Sequence, residues 1–415
     1  MAGEWETVPL ECLLEADRGI SYGIVQPGSP VADGVPIVRV SDVRDGRIST
    51  ANPLRVSRDI ESAYSRTRLK GGELLLTLVG TVGEAAVVPG SLAGWNTARA
   101  VAVIPVREEI GAYWVQVALR APQVRERIDS RLNTTVQVTL NLGDVAQLPI
   151  VLPPRREREV IAHILGTLDD KIELNRRMNQ TLEAMARALF QSWFVDFDPV
   201  RAKVEGRDPG LPKEIADLFP GRLEDSELGE IPAGWEIETL GELLELAYGK
   251  ALKADTREHG DVPVYGSNGQ VGWHDERLVA GPGVVVGRKG NPGTVTWSPT
   301  DFFPIDTTFY VVPKRRCPSL HFLFHALKKH DLAALGADSA VPGLNRNLAY
   351  MSKQVVPPEP ILGMYDQRVH GLAERIHQSN EQSRTLSALR DTLLPKLISG
   401  ELRVKHAEDL DTARL

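Results

Sequence analysis

Between Ile161 and Trp193 apolar side chains return at alternating intervals of four and three residues: Ile161, Leu165, Leu168 and Ile172, then Leu182, Ala186, Leu189 and Trp193. The same spacing runs through Tyr365, Val369, Leu372, Ile376, Leu386, Leu393 and Leu397. This is the a and d pattern of a coiled coil, and it predicts two long helices. Each seam is polar at its centre, with Asn175 and Asn179 in the first helix and Ser379 and Ser383 in the second; Arg390 takes a later seam position. A buried leucine contributes about 1.5 to 3 kcal/mol, and an unsatisfied buried polar group costs about 1 to 3 kcal/mol. The four polar residues are therefore expected to face one another or water, and so to fix the register of the pair.

Outside these helices the hydrophobic pattern changes period. Short apolar runs punctuated by glycine, such as "GELLLTLVG", "GEAAVV", "GVVVG" and "GTVTW", read as strands joined by tight turns. "YWVQVALRAPQVRERI" and "LHFLFHALKKHDLAALG" read as helices between them. Pro153-Pro154 and Pro357-Pro358 precede the two long helices, since proline holds the residue before it extended and is tolerated only at a helix start.

This order of elements occurs twice. "EWETVPLECLLE" matches "GWEIETLGELLE" at an offset of 235 − 5 = 230. "GGELLLTLVGTVGEAAVV" aligns with "GPGVVVGRKGNPGTVTW", which sets Gly71, Gly80 and Gly83 on Gly281, Gly290 and Gly293 at 281 − 71 = 210. "LNLGDVAQLPIVLPP" aligns with "LNRNLAYMSKQVVPP" at 344 − 140 = 204, and that offset holds through the long helix, placing Ile172 on Ile376 and Trp193 on Leu397. The chain is two copies of one unit.

Either helix direction brings the polar centres together, but a pseudo-twofold axis perpendicular to the helices selects the antiparallel one. The predicted fold class is α+β: two mixed α/β recognition domains separated by two long helices in an antiparallel coiled coil, with an internal pseudo-twofold repeat. The predicted boundaries are a first head at 1–152, a first helix region at 153–199, a linker at 200–230 rich in Pro, Gly and charge, a second head at 231–356, a second helix region at 357–403 and a tail at 404–415. A helix over 161–193 spans roughly 50 Å at 1.5 Å per residue, comparable with the roughly 34 Å between half-sites one turn apart on B-DNA. Two different heads on such a rod are expected to read an asymmetric, interrupted sequence.

Composition narrows this reading. The 415 residues are 42% apolar, enough for real cores. Cys12 and Cys317 make neither a disulfide framework nor a C-x-x-C centre, and the start "MAGEWETVPL" lacks the pattern of a signal peptide, so a soluble protein of the reducing cytosol is expected. The net charge of −7 does not announce a polyanion partner, yet basic residues gather from Arg39 to Lys70 and again at Lys250, Lys253, Arg288 and Lys289.

Taken together, "LDDKIELNRRMNQTLEAMARALFQSWFVDFDPV", "LSALRDTLLPKLISGEL", "LGEIPAGWE", "PVYGSNGQVGWHDE", "GRKGNPGTV" and "AVPGLNRN" resemble the specificity subunit of type I restriction-modification systems along essentially the whole chain. The resemblance implies two target-recognition domains on an antiparallel pair of conserved helices, binding to bipartite double-stranded DNA, and docking of two modification subunits on the helical region. It also implies that restriction subunits, the motor-nucleases, join the complex. S-adenosylmethionine, ATP and Mg are then expected on the partner subunits and no cofactor on this chain. The acidic balance departs from a free-standing DNA binder and implies that affinity depends partly on those partners.

Catalytic motifs are missing from the sequence itself. An adenine methyltransferase needs an N-P-P-[YF] loop, and only "NPL" and "NPG" occur; G-x-x-x-x-G-K-[ST] is absent. No catalytic or metal residue is therefore assigned. His321 and His325 have the i, i+4 spacing of zinc ligands, but without the glutamate of H-E-x-x-H they read as packing or surface histidines. Asp196 and Asp198 in "FVDFDPV" read as a helix exit rather than an acid pair.

The candidate DNA-binding residues lie in both heads. "GRKGNPG", with Arg288 and Lys289, can cradle a phosphate through backbone N–H groups or be an ordinary hairpin turn. "YGSNG", with Tyr265, Ser267 and Asn268, carries side chains that read base edges, with loop stabilisation as the plain alternative; Lys250, Asn345 and Arg346 complete the second head. In the first head the candidates are Arg39, Ser41, Arg68 and Lys70, together with Thr134, Thr135 and Gln137 opposite "SAVPG" of the second copy. Competing readings are a self-sufficient methyltransferase, a non-catalytic coiled-coil scaffold whose heads bind protein, and an orphan subunit serving methylation only.

Overall fold

Glu6–Pro9 pairs antiparallel with Pro149–Leu152, so the first and last strands of the first head form a two-stranded ribbon. The computed structural model describes residues 5–132, 139–337 and 343–404. The chain forms two units, Met1–Ile172 with Arg384–Leu415, and Glu173–Ser383.

In the first unit a four-stranded antiparallel sheet runs in the order Ser21–Tyr22, Val101–Ile104, Leu74–Thr77, Ala85–Val87. A second sheet has Val35–Val38 at its centre, antiparallel to Leu54–Val56 and parallel to Asn96–Thr97. Leu74, Leu76, Ala102 and Ile104 face the helix Ala112–Ala118 through Trp114, Val115 and Ala118. Leu75, Val101 and Val103, the alternate positions, enter a separate cluster with Val38 and Val43. The sheet is thus buried on both faces, which is why its strands read as continuous apolar runs.

The second unit repeats this plan. Glu236–Thr239 pairs with Lys353–Val356, and a four-stranded sheet runs Leu244–Tyr248, Thr308–Pro313, Gly283–Gly287, Val295–Ser298. Val262–Gly266 lies between Gly269–His274, antiparallel, and Phe303–Pro304, parallel. The glycine turns coincide: Gly83 N–H donates to Thr77 O at 3.0 Å and Gly293 N–H to Gly287 O at 2.9 Å, with positive φ at Gly80, Gly83, Gly290 and Gly293. The internal repeat is structural as well as sequential.

The two long helices are Arg155–Phe194 and Glu359–Ser399. In the first unit Ile161 and Leu165 share a core with Leu394, Leu397 and Ile398, the start of one helix against the end of the other. In the second unit Phe190, Trp193 and Phe194 share a core with Tyr365 and Val369. The pairing in each unit is antiparallel. Along the seam Asn175, Asn179, Ser379, Trp193 and Leu397 are buried, whereas Ile172, Leu182, Leu189, Ile376, Ser383, Leu386 and Leu393 are half-buried.

The polar layer meets as its register requires. Within the second unit the two N–H donors of Asn175 Nδ2 have Gln382 Oε1 at 2.9 Å, Ser383 Oγ at 3.2 Å and Ser379 O at 3.3 Å as acceptors within reach. Asn179 Nδ2 donates to Asn380 Oδ1 at 2.7 Å, so Gln382 and Asn380 join the serines as partners.

The expected linker is built into the second unit instead. Asp198–Val204 and Lys213–Ala216 are helices, and Leu223–Ser226 pairs with Gly229–Pro232. Val200, Ile215 and Phe219 are buried in the core, with the Phe219 ring 5.1 Å from that of Trp193. These anchors are spaced irregularly, so proline, glycine and charge concealed them. No described helix is long and apolar enough to cross a membrane.

Candidate nucleic-acid interface

The strand Leu244–Tyr248 ends by placing Tyr248 at the surface, 53% exposed. Gly249 follows because the neighbouring chain is close: a Cβ there would lie 2.2 Å from Ile305 O. Over the Tyr248 ring lie two guanidinium carbons, Arg288 Cζ at 5.1 Å and Arg346 Cζ at 5.0 Å from its centre. The ring face attracts both cations and holds them in one place. Arg346 is steadied further by Tyr350, whose ring centre is 5.7 Å away, and by Leu246 O, which accepts from its Nη1 at 3.3 Å.

The turn carrying Arg288 and Lys289 is fixed by its own backbone. Both N–H groups donate to Thr307 O, at 2.9 and 3.1 Å, and Arg288 O accepts from Leu344 N–H. Those two N–H groups are therefore committed and cannot cradle a phosphate; the side chains remain, half-buried for Arg288 and exposed for Lys289. Lys250 and Asn268 are exposed beside them in sequence-distant loops, Lys250 bridged to Ile305 and Asn268 accepting from Asn291.

Three expected contact residues serve the scaffold. Tyr265 is 6% exposed, packed on Phe302 and Val285, and burial pushes its phenol pKa up. Ser267 is buried with its Oγ within hydrogen-bond reach of both Lys289 O and Thr307 O, and its single proton, given to either, ties the two loops together. Asn345 caps the helix Arg346–Met351, its Oδ1 accepting from the N–H groups of Asn347 and Leu348. The second head thus offers Tyr248, Lys250, Asn268, Arg288, Lys289 and Arg346.

In the first head each candidate arginine is oriented by a carboxylate. Arg39 donates through Nε and Nη2 to Asp42, both at 2.9 Å, and exposed Ser41 donates to the same carboxylate. Arg68 donates through Nε and Nη2 to Glu61, at 2.8 and 2.5 Å. Glu61 is only 4% exposed, and the bond from Arg68 holds its carboxyl below the usual range, against burial, with Asn96 adding a further donor. Lys70 is exposed, with its backbone N–H donating to Glu73. Thr134, Thr135 and Gln137 lie outside the described residues.

At the position of Arg288-Lys289 the first head has Leu78-Val79: Leu78 O accepts from Leu140 N–H at 2.9 Å, as Arg288 O accepts from Leu344 N–H at 2.9 Å. The heads share a frame and differ in the side chains it presents.

The profile of the family described as the type I restriction modification DNA specificity domain matches residues 5–184 and 232–348, once in each repeat. The chain belongs to this family. Its part in such systems is specificity rather than catalysis. Among similar proteins, the HindI specificity subunit of Haemophilus influenzae is 27% identical over 341 residues, covering 66% of this chain and 73% of that one. The EcoBI specificity subunit of Escherichia coli is 29% identical over 195 residues, 45% of this chain and 41% of its own length. The crystal structure of a type I system S subunit from M. genitalium superposes with a TM-score of 0.57 at 17% identity, over 95% of this chain and 96% of the other, and shares the fold.

Within this specificity chain the sequence reading passed over Tyr248 and its counterpart. Tyr22 pairs with Ala102 and Tyr248 with Phe309, equivalent positions of equivalent strands. Tyr22 is also exposed, at 45%, and Gly23 follows it where a Cβ would lie 1.8 Å from Thr97 O. The signal was present as "SYGI" and "AYGK", at 248 − 22 = 226, but it lies in a stretch where the offset drifts.

Proposed function

We propose that the chain works in the cytoplasm as the DNA-reading subunit of a type I restriction-modification complex, each head taking one half of an interrupted, asymmetric duplex sequence. The observation that carries this reading is Tyr248 beneath Arg288 and Arg346, an exposed ring with two preset guanidinium groups next to Lys289 and Lys250. Guanidinium groups held in place suit guanine edges and phosphates, and an exposed tyrosine supplies apolar contact to a thymine methyl or sugar. Asymmetry follows from the replacement of Arg288-Lys289 by Leu78-Val79 in the first head. Two modification subunits dock along the long helices and restriction subunits join them, so S-adenosylmethionine, ATP and Mg reside on the partners.

The test is to co-express the chain with its modification subunit and map adenine methylation across a genome by single-molecule sequencing. An interrupted asymmetric motif that vanishes without this chain is expected. Exchanging residues 231–356 for another member's domain should change one half of the motif; methylation that persists without the chain, or a motif unchanged by the exchange, overturns the reading. Arg288→Ala and Arg346→Ala should each weaken binding and lower the salt slope by about 1 if they contact phosphate.

A further inference from the structure

The two repeats close the junction between the head helix and the long helices in different ways. In the first, Asp169 is the centre. Its Oδ2 accepts from Tyr113 Oη at 2.9 Å and Arg120 Nη1 at 3.2 Å, its Oδ1 accepts from Arg390 Nη1 at 2.7 Å, and its backbone O accepts from Arg47 at 2.6 Å. The helix Leu320–Lys329 aligns on Ala112–Ala118 at 321 − 113 = 208, with Phe322, Leu323 and Ala326 buried where Trp114, Val115 and Ala118 are buried. With the long helices aligned at 204, His321 takes the place of Tyr113, Lys328 of Arg120, Ala373 of Asp169 and Ala186 of Arg390.

All four of these counterparts line one cavity of about 490 Å³ in the second unit. The carboxylate and one guanidinium group have become methyl groups, while a cation remains. Lys328 Nζ lies 4.5 Å from the centre of the Phe324 ring and, among the described residues, forms no ion pair, although Glu183 shares the lining. Burial pushes its pKa down. Trp297 stacks on His321 with ring centres 4.4 Å apart, and burial pushes His321 and His325 to about 4, so both imidazoles are neutral at pH 7. The cavity therefore joins flat aromatic walls to the ammonium group of an exposed lysine at its rim, within the size range of small-molecule sites.

We propose that this cavity binds a free aromatic carboxylate, with its ring along the Trp297 and His321 wall and its carboxylate on Lys328, where the first repeat holds Asp169. None of the residues named for the DNA-reading surface of the second head lines it. A carboxylate on this ammonium gains a charge-assisted hydrogen bond that a neutral analogue cannot make in full.

The probe is 1-naphthoate, titrated into the full chain at pH 7 by calorimetry, with 1-naphthalenemethanol as its neutral counterpart. The acid is expected to bind at least about tenfold more tightly than the alcohol. Lys328→Met should abolish that preference and Lys328→Arg should keep it, which separates loss of charge from loss of folding. Ala373→Asp should abolish naphthoate binding and raise the melting temperature, by installing the first repeat's own carboxylate. Equal binding of acid and alcohol, no saturable binding of the acid, or naphthoate binding untouched by Ala373→Asp overturns the proposal.

Discussion

Arg390 donates to Asp169 at 2.7 Å and so converts a seam position of the second long helix, where the heptad asks for an apolar residue, into half of an ion pair. Asp169 is 14% exposed and also meets Arg120 and Tyr113. Burial alone would raise its pKa, but Arg390 and Arg120 outweigh it and hold the carboxyl low. Tyr113 responds in the opposite sense: burial and the Asp169 charge push its phenol up.

Asp169→Ala should therefore destabilise the protein by about 2 kcal/mol at pH 7, because it leaves the half-buried Arg120 without its anion and Arg390 with Asp391 alone. A folded-state pKa below the unfolded one means the carboxylate's contribution is complete above the unfolded value near 4 and disappears as pH falls through the folded value. Urea denaturation of both proteins at pH 7 and again near pH 3 measures this. Equal midpoints at pH 7 would show that the network contributes nothing.

Asn179→Leu is expected to raise stability by about 1 kcal/mol. The asparagine's Oδ1 is buried without a partner among the described residues, and Asn380, left behind, is exposed enough to rehydrate. The same change removes a register mark, so mixed association states should appear in sedimentation and assembly with modification subunits should weaken. A variant that is more stable and just as uniform would sink the register role.

Gly363 and Gly371 lie inside the second long helix, and an added Cβ would meet nothing within 4 Å at either site. Each Gly→Ala change should add up to about 1 kcal/mol through helix propensity and a less flexible unfolded chain. Thermal melts of the single and double variants check both the sign and the additivity.

Gly249→Ala should disturb the second head far beyond the size of a methyl group, since the new Cβ would fall 2.2 Å from Ile305 O. A loss of more than about 2 kcal/mol is expected, and with it the placement of Tyr248. Tyr248→Ala should weaken DNA binding while leaving the head folded. If Gly249→Ala binds DNA as the parent does, the Tyr-Gly pair has no part in recognition.

The repeat, the two helices and their polar layer were readable because they are written in periods and offsets. The heptad named the seam, and the cost of lone buried asparagines required partners, which Gln382 and Asn380 supply along with the serines for the amide nitrogens but not for the Oδ1 atoms. What escaped was set by chain neighbours far apart in sequence. Ser267 and Tyr265 have the composition of base readers, yet the loops of Lys289 and Thr307 and the ring of Phe302 turn them into supports. Arg68 looked like a free cation because nothing local shows that Glu61 is buried against it. The exposure of Tyr248 depends on how closely residue 305 passes Gly249.

The paired end strands of each head have a consequence for descent. Pro9 meets Pro149 and Thr239 meets Lys353, so the chain enters and leaves each head through one narrow neck. Between those residues the first head spans 149 − 9 = 140 positions and the second 353 − 239 = 114, a difference of 140 − 114 = 26 that the neck absorbs without a change in pairing. Loop-closure entropy rises only with the logarithm of length, so insertion or deletion beyond the neck costs the frame little. A recombination crossover falling in the neck strands can replace a whole head while the heptads beside it stay in phase, and a lineage can change what it recognises in one genetic event.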